Sequence, residues 1–347
     1  MGCHPPRARA LTPQLPSSLG PRCLIVGAGA VGQVLGACLQ RGGAHVGVRV
    51  RDRYVESARR GFAMGRSGAS VLSTFTPDHV ESTSDPVGGA VWDVVWLCTS
   101  SPALGTDDWL APLCQDVGDA TIVVLQPGLH DRARVCGLVG KARVVRGMVP
   151  FSAWQGPLPG GGGAPGLRWW RPPLAGVLLA GQRAARLTPI LRRGGMPARV
   201  VSAGRVDAQL ALVGGVIQPL VAGLEASGWS FDTLRQQGLG KVAQGAREAI
   251  AISAAVRGAV APWWTGLLRG PGLALGTRVA QAVAPFDFER FLEVHFTKVG
   301  AQTRSALSAL VEEADRRGLP RAGLASLRDG LGGSRPPTGT LLRPGRR

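Results

Sequence analysis

The fold of this chain is decided by the ten residues CLIVGAGAVG at positions 23–32. The first four residues are apolar, which is typical of a strand buried on both faces of a parallel sheet. From Val34 onwards apolar residues recur at helical spacing, so the glycines lie in the turn between a strand and a helix. This context favours a dinucleotide-binding turn, and a chance match in a chain with 51 glycines is the alternative.

Each glycine of the turn has a physical task in that interpretation. Gly27 permits the tight turn, Gly29 lets the backbone approach a pyrophosphate, and Gly32 lets the helix pack closely on the strand. The free N–H groups and the positive dipole end of the helix would then hold the phosphates. The turn therefore predicts a cofactor-binding run of six residues, namely Gly27, Ala28, Gly29, Ala30, Val31 and Gly32.

A second strand, expected at residues 45–50, ends among charged residues. About twenty residues past such a turn, an acidic side chain binds the free 2′-hydroxyl of the adenosine ribose, whereas arginine pairs with a 2′-phosphate. Three arginines, at positions 49, 51 and 53, outnumber Asp52, and strand alternation puts them on one side. A planar guanidinium suits a phosphate, so the pattern favours NADP(H), bound by Arg51. Because arginine is abundant in this chain, a chance position is the alternative.

Strands and helices alternate through the first 203 residues. Strong buried strands are expected at residues 91–98 and 121–125, and this alternation is typical of a doubly wound parallel sheet. The carboxyl ends of parallel strands line the ligand crevice, so residues 99–101 and 126–128 are placed beside the glycine turn. Three of them, Thr99, Ser100 and Gln126, are predicted to contact the cofactor.

The pattern predicts two domains. Strands at residues 71–75 and 80–85 could pair, a single strand covers 143–154, and strands at 167–170 and 176–179 are expected to pair. After residue 204 every periodic segment is helical. The fold class is therefore an N-terminal Rossmann-type doubly wound parallel sheet followed by an all-α C-terminal domain. The expected boundaries are a disordered leader at 1–20, an NADP-binding domain at 21–203, a helical substrate and dimerisation domain at 204–330, and a disordered basic tail at 331–347.

The formal net charge of +18 would by itself suggest nucleic acid or an anionic membrane as a partner. The excess is arginine spread along the chain, and no helix-turn-helix, zinc-finger or RNA-stacking motif accompanies it. The longest uncharged run, residues 208–224, is too short and too broken for a membrane span. The six cysteines lack metal-binding spacing and suit a reducing compartment. We therefore expect a cytoplasmic protein with no nucleic-acid partner, no membrane association and no metal.

The sequence resembles the ketopantoate reductase (2-dehydropantoate 2-reductase) family. The resemblance rests on GAGAVG at 27–32, on Arg51 after the second strand and on IQPL at 217–220, and its plan covers residues 22–327. It implies an enzyme that reduces a 2-oxo acid with NADPH, as in pantothenate biosynthesis, in a cleft between the two domains. The implied partner is a small-molecule carbonyl substrate, and a homodimer is a candidate assembly.

The chain departs from this family at the positions where the family carries out its chemistry. The family lysine of the interdomain helix matches Leu210, and the lysine after the fourth strand matches Ser100. Three family asparagines and a glutamate are replaced as well, by Gly214, Gln218, Pro127 and Gln302. Hydride transfer to a ketone leaves an alkoxide, which a proton donor or a cation must stabilise. Leucine can do neither.

A polar run on a predicted helix, residues 286–304, offers a replacement donor. Lys298 shares a helix face with Gln302 and is one of only three lysines in the chain. The hypothesis is that Lys298 is the acid, while Gln302 and Gln218 orient the substrate. The alternatives are that Lys298 is a surface lysine and that the chain is a catalytically silent NADP(H)-binding protein of the same fold.

Overall fold

The computed structural model describes residues 20–86, 90–106, 109–298 and 300–331. The leader at 1–20 and the tail at 331–347 lie outside the described residues, apart from Gly20 and Leu331. Leu331 is buried in the core of the helical part. The packed structure therefore includes one residue that the sequence assigned to the tail.

Strands and helices alternate in the first part of the chain, and helices alone form the second. The strands are β1 (Arg22–Val26), β2 (His45–Val50), β3 (Phe62–Arg66), β4 (Ser73–Phe75), β5 (His79–Ser82), β6 (Val94–Leu97), β7 (Thr121–Val124), β8 (Val144–Met148), β9 (Ser152–Gly156), β10 (Gly166–Trp170), β11 (Val177–Ala180) and β12 (Ala198–Val200). The helices are α1 (Ala30–Arg41), α2 (Val55–Arg59), α3 (Ser101–Thr106), α4 (Leu110–Asp116), α5 (Asp131–Val139), α6 (Thr188–Arg193), α7 (Ala203–Ala226), α8 (Phe231–Gln237), α9 (Leu239–Arg257), α10 (Gly270–Val283), α11 (Phe288–Lys298), α12 (Gly300–Arg317) and α13 (Ala322–Gly330).

The first part is built on an eight-stranded sheet with the order β12-β11-β8-β7-β6-β1-β2-β5. Its neighbours are parallel, except that β11 runs antiparallel to β8. Successive residues of β1 enter different apolar clusters, since Cys23 and Ile25 pack in one and Leu24 and Val26 in another. The central strand is thus buried on both faces, which confirms the Rossmann-type fold predicted from its uniformly apolar sequence.

A second sheet, with the order β4-β3-β10-β9, was not predicted. The expected pairing of residues 167–170 with 176–179 is wrong, because β10 pairs with β3 and β9, whereas β11 pairs with β8 and β12. The burial pattern explains the split: β11 is buried throughout, but alternate residues of β10 are only half-buried. Two further expectations fail, since β5 pairs with β2 rather than β4, and the predicted strand at 143–154 divides into β8 and β9.

The helical part is organised around α7, which packs antiparallel to α9. Two glycines of α7 allow this approach, because a Cβ on Gly215 would lie 2.5 Å from Ile250 and one on Gly223 would lie 2.3 Å from Val242. Among the described helices, α7 alone has the length and mean hydropathy, 1.4 over its most apolar window, of a membrane span. Half of that window is buried inside the protein, as in the core helix of a soluble protein.

The two parts meet along the carboxyl edge of the large sheet and along the small sheet. At the large sheet, Arg146 of β8 forms a buried ion pair with Asp207 of α7. At the small sheet, Trp154 of β9 packs against Phe286 and Phe291, with ring centroids 4.4 and 5.3 Å apart. These contacts bring the ends of the helices to the edge where the strands of a Rossmann-type sheet bind ligands.

Candidate functional site

The turn between β1 and α1 has the geometry that the sequence predicted for its glycines. Gly27 has a φ of +94°, which favours glycine, and its N–H donates to the Arg49 carbonyl at 3.0 Å. A Cβ on Gly32 would lie 2.2 Å from the Gly27 carbonyl oxygen and 3.0 Å from Ile25. The side-chain amide of Gln33 also donates to the Ala28 carbonyl at 2.9 Å. Hydrogen bonds and close packing on the protein side therefore fix the backbone of the turn.

The outer side of the same turn is open. Gly29 is exposed and occupies the N-cap position of α1, and a Cβ built on it would have no neighbour within 4 Å. The first turn of a helix leaves backbone N–H groups without intrahelical partners, and here those are on the residues from Ala30 onwards. Bare amides facing open space at the positive end of a twelve-residue helix fit a pyrophosphate.

The three arginines at the end of β2, which the sequence predicted on one side, differ in their burial and contacts. Arg49 is buried, pairs with Glu81 at 3.2 Å and donates to the carbonyls of Thr83 and Asp85. It therefore secures the strand and is not available to a phosphate, so the expectation of one arginine face is wrong. The guanidinium of Arg53 lies over the Tyr54 ring.

Arg51 remains available at this end of the sheet. It is exposed, and in the described part of the chain its side chain makes no hydrogen bond or ion pair. The single acid nearby, Asp52, is already engaged, because its carboxylate accepts hydrogen bonds from the hydroxyls of Ser82 and Ser84. The Ser84 contact measures 2.7 Å. The residue that could bind a ribose diol is thus engaged by two hydroxyl groups, while the side chain of the residue that could bind a 2′-phosphate has no described partner.

The loops after β6 and β7 lie beside the glycine turn, as expected. A Cβ on Gly27 would lie 3.1 Å from the Thr99 methyl group, and the Thr99 hydroxyl is buried without a described hydrogen-bond partner. The Gln126 amide is buried and donates to the carbonyls of Leu97 and Thr99 at 2.8 and 2.9 Å. Gln126 therefore ties the two strand ends together, Thr99 offers an unused hydroxyl, and Ser100 is exposed.

The three residues proposed for the chemistry are not brought together by any hydrogen bond or ion pair between described residues. Lys298 is exposed at the end of α11, where its charge and, to a larger extent, burial keep the pKa of His295 below its ordinary value. Gln302 is half-buried on α12. The carbonyl oxygen of the Gln218 side chain on α7 is buried and lacks a described partner, which leaves it available to a ligand.

The position that the sequence resemblance matches to a family lysine lies in an apolar environment. Leu210 is 5 % exposed and packs with Val206 of α7 and with Leu178 and Ala180 of β11. This contact is part of the seam between the helical part and the large sheet. A lysine at position 210 would place its charge in this apolar cluster, which is energetically costly.

The structure reveals a polar cluster at the carboxyl edge that the sequence analysis did not identify. Ser101 starts α3, and its hydroxyl accepts the Gly128 N–H at 3.2 Å. Asp131, the first residue of α5, lies against the same glycine, since a Cβ on Gly128 would lie 2.2 Å from its Oδ2. Arg257, the last residue of α9, donates to the carbonyls of Pro127 and Gly128 at 2.6 and 3.3 Å. One signal in the sequence indicated this region: residues 99–101 and 126–128 directly follow two predicted buried strands.

Burial shifts the pKa values of three groups in this cluster, in each case toward the neutral form of the side chain. Burial raises the pKa of the Asp131 carboxyl above its ordinary value, although the Ser101 hydroxyl opposes the shift. Burial lowers the pKa of the Arg257 guanidinium to about 10. Burial, with the charge of Arg257 as the next cause, lowers that of Arg146 to about 9. Titratable groups shifted by burial at a ligand-binding edge are typical of functional sites.

Comparison with known proteins finds a family model that matches the first part of the chain. Residues 23–157 match the family model described as ketopantoate reductase PanE/ApbA. No curated protein matches the chain in sequence. The part of the chain that contains the glycine turn and both strand-end loops therefore matches a ketopantoate reductase family model, which confirms the resemblance noted in the sequence.

Solved structures match nearly the whole chain at low sequence identity. The 2-dehydropantoate 2-reductase of Methylococcus capsulatus is 19 % identical, covers 89 % of this chain and 94 % of its own, and has a TM-score of 0.64. The ketopantoate reductase of Ralstonia eutropha JMP134 is 16 % identical, with coverages of 90 % and 97 % and a TM-score of 0.66. A D-mandelate dehydrogenase bound to NADH and anilino(oxo)acetate is 13 % identical, with coverages of 90 % and 97 % and a TM-score of 0.63. These likenesses establish the two-part fold.

Proposed function

We propose that this protein is an NADPH-dependent reductase of a 2-oxo acid or a related carbonyl compound, acting in the cleft between the sheet and the helices. The observation that carries the proposal is the open glycine turn with Arg51 free and Asp52 engaged by Ser82 and Ser84. The match of residues 23–157 to the ketopantoate reductase family model supports the reaction class.

The residues present fit two parts of the cofactor, the pyrophosphate and the 2′-phosphate. The amides of α1 and the open side of Gly29 would hold the pyrophosphate, and Arg51 would pair with the 2′-phosphate. The unused Thr99 hydroxyl and the exposed Ser100 line the path from the turn to the β6 loop. When bound, the reduced nicotinamide supplies a hydride to the carbonyl carbon. The chain must then orient the carbonyl and deliver a proton to its oxygen.

The groups that would handle the substrate lie on the helices. The buried, unpartnered oxygen of Gln218 is suited to accept a hydrogen bond from the substrate, and Gln302 is the second amide in this role. Lys298 is one candidate for the proton. Because the D-mandelate dehydrogenase neighbour was solved with an aromatic oxo acid derivative, aromatic as well as branched 2-oxo acids belong among the candidate substrates.

The proposal is tested by following NADPH oxidation with a panel of 2-oxo acids that includes ketopantoate and phenyl-substituted compounds. We expect turnover with at least one of them and a preference for NADPH over NADH. In the Arg51→Ala variant, the affinity for NADPH should fall about 10- to 100-fold, since a charge-assisted contact is lost, while that for NADH should change little. Arg53→Ala is the matched control. Absence of turnover with every compound would overturn the enzymatic proposal.

A second function, a catalytically silent NADP(H)-binding protein, is favoured by one observation. The residue that the resemblance matches to the family lysine is Leu210, buried in an apolar cluster. This function predicts that NADPH binds and raises the thermal stability without any turnover. Calorimetry and the panel assay on the same preparation separate the two functions.

The proposal also includes the cellular compartment and the oligomeric state of the protein. The cysteines at positions 23, 38, 98, 114 and 136 are free in the structure, which suits the cytoplasm, where thiols remain reduced. A homodimer formed through the helical part is the assembly we propose, and light scattering at several protein concentrations would test it.

A further inference from the structure

Helix α10 directs two polar side chains inward and three apolar side chains outward. Thr277 is 5 % exposed, and its hydroxyl donates to a carbonyl of its own helix at 2.9 Å. The side chain of Gln281 accepts a hydrogen bond from Arg235 of α8 at 3.0 Å. On the opposite side, more than half of the surface is exposed at three apolar positions, namely Leu275, Val279 and Val283. A surface helix of a monomer has the reverse arrangement, with its apolar stripe toward the core.

The segment that connects α9 to α10 is apolar and exposed as well. It includes a short 3-10 helix at Trp263–Leu267. Val260 is 89 % exposed, Trp263 is 83 % exposed, and Leu267 is also largely exposed. We define the α10 face as the exposed apolar residues of this segment and of α10, which are Val260, Trp263, Leu267, Leu275, Val279 and Val283. So many exposed large apolar side chains in one stretch of chain mark an interaction site.

Two glycines lie on the same side of α10. Gly272 and Gly276 are four residues apart, and they share a helix face with Val279 and Val283. Both glycines are exposed, and a Cβ on either would have no neighbour within 4 Å. Glycine within a helix lowers its stability relative to alanine, and no contact within the described chain requires glycine at these two positions. Bare backbone on an outward face lets another helix approach closely.

The composition of this stretch fits a protein partner. Residues 259–286 contain two tryptophans and two arginines but no lysine, aspartate, glutamate or serine. Interfaces between proteins are enriched in tryptophan and arginine and depleted in those four residue types. A bilayer fits less well, since segments that bind anionic lipids carry clusters of about four to eight lysines and arginines.

The charges beside the α10 face can satisfy one another between two copies of the chain. Arg269 and Arg278 are exposed and make no hydrogen bond or ion pair within the described part of the chain. Exposed acids lie on the elements that flank α10, with Asp232 on α8 and Asp287 directly before α11. A two-fold axis pairs residue i of one copy with residue j of the other and also the reverse. Cations of each copy can therefore meet acids of the other.

We propose that two copies of this chain associate through the α10 face, with their α10 helices packed together at Gly272 and Gly276; this inference rests on the homodimer of the proposed function and assigns its interface. In a two-fold dimer the same surface meets itself, so each copy of the face covers the other. A standard interface removes about 800 Å² from each partner. A covered tryptophan supplies about 150–250 Å² of that area, so Trp263 and five aliphatic side chains provide the apolar core.

The first test changes one residue of the face and measures the molecular mass. Sedimentation equilibrium of the wild type at rising protein concentration should yield a dimer. Val279→Arg places two like charges in the contact, and we expect the dimer to weaken at least about 30-fold, the effect of losing an interface hot spot. Val71→Arg, the same substitution at a 79 % exposed valine before β4, is the matched control and should leave the mass unchanged.

The second test separates packing between copies from folding. An alanine at position 276 meets no atom within 4 Å, so Gly276→Ala should keep or raise the melting temperature of the monomer. Its methyl group would hold the two helices apart, and we expect the dimer to weaken at least about tenfold. Gly137→Ala, at an exposed glycine of α5 with equally open surroundings, is the control. A Gly276→Ala protein that dimerises like the wild type would overturn the proposed packing.

The outcomes separate this inference from the proposed function. A wild-type protein that stays monomeric at every concentration overturns the inference, and binding to phosphatidylglycerol vesicles that Val279→Arg abolishes would then identify a bilayer as the occupant of the face. A wild-type dimer that Val279→Arg leaves intact overturns this interface, while a homodimer through another surface stands. NADPH oxidation is measured separately, so absence of turnover with every 2-oxo acid removes the proposed reaction and leaves the interface in place.

Discussion

The β1–α1 turn and the middle of α7 differ sharply in how far they keep the residues of the ketopantoate reductase family. In the turn, Gly27, Gly29 and Gly32 each occupy a position where a side chain would clash or would close the open face. On α7, the residue that the resemblance matches to the family lysine is Leu210, which packs against β11 in an apolar cluster. The two demands of the proposed function, binding a dinucleotide and performing the chemistry, thus fall on different elements and can be tested separately.

The largest effect is expected from placing a lysine at position 210, where the resemblance puts the family lysine. Leu210→Lys would place an ammonium group in a cluster formed by Val206, Leu178 and Ala180. We expect it to reduce the free energy of unfolding by about 3–5 kcal/mol, the cost of an uncompensated buried charge. Leu210→Met, which conserves volume, should cost less than about 1.5 kcal/mol. Urea titration of both variants measures the difference. If the lysine variant proves as stable as the wild type, this part of α7 is not a dry seam.

Two glycines of the β1–α1 turn are expected to affect different properties, one the stability of the protein and the other its affinity for NADPH. Gly32→Ala puts a methyl group 2.2 Å from the Gly27 carbonyl oxygen, so the backbone must move, and we expect a loss of about 1–3 kcal/mol in stability. Gly29→Ala meets no atom within 4 Å and should cost less than about 1 kcal/mol, even at an N-cap. Its methyl group would lie where the pyrophosphate approaches, so NADPH affinity should fall at least tenfold.

Thermal unfolding and NADPH titration of the two alanine variants provide the test. A stable Gly32→Ala protein would show that the helix does not need its close contact with the turn. Unchanged NADPH affinity in Gly29→Ala would place the cofactor elsewhere.

The smallest expected effect concerns the end of α11. Burial and, secondarily, the charge of Lys298 hold the pKa of His295 below its ordinary value. Lys298→Ala should therefore raise that pKa only slightly and leave it below the ordinary value, because burial remains. Histidine signals followed by NMR across pH 4 to 8 measure the shift, with Lys141→Ala as the control. An unchanged pKa would mean that Lys298 points away from His295 in solution.

The sequence predicted the parts of the molecule that depend on local pattern. The apolar run before Gly27 and the helical spacing after Gly32 were sufficient to place the turn, and the strands 45–50 and 121–125 were expected where the sheet has β2 and β7. Local pattern could not say which strands pair. β10 joins β3 across about a hundred residues, and the choice depends on the burial of β11 in the large sheet.

The site was harder to predict because its contacts join distant residues. Alternation placed Arg49 beside Arg51, but the partner that turns Arg49 inward, Glu81, is thirty-two residues away. Ser101 and Gly128 meet only because β6 and β7 are neighbours, and Arg257 reaches Gly128 from a helix of the other part. Sequence periodicity carries no information about such long-range contacts.

Calorimetric titration with NADPH tests most directly whether a dinucleotide binds to the open amides of the β1–α1 turn. We expect a saturable heat in the wild type, an increase in melting temperature at saturating NADPH, and at least tenfold weaker binding in Gly29→Ala. No heat and no increase in melting temperature with either NADPH or NADH would contradict the account at its foundation.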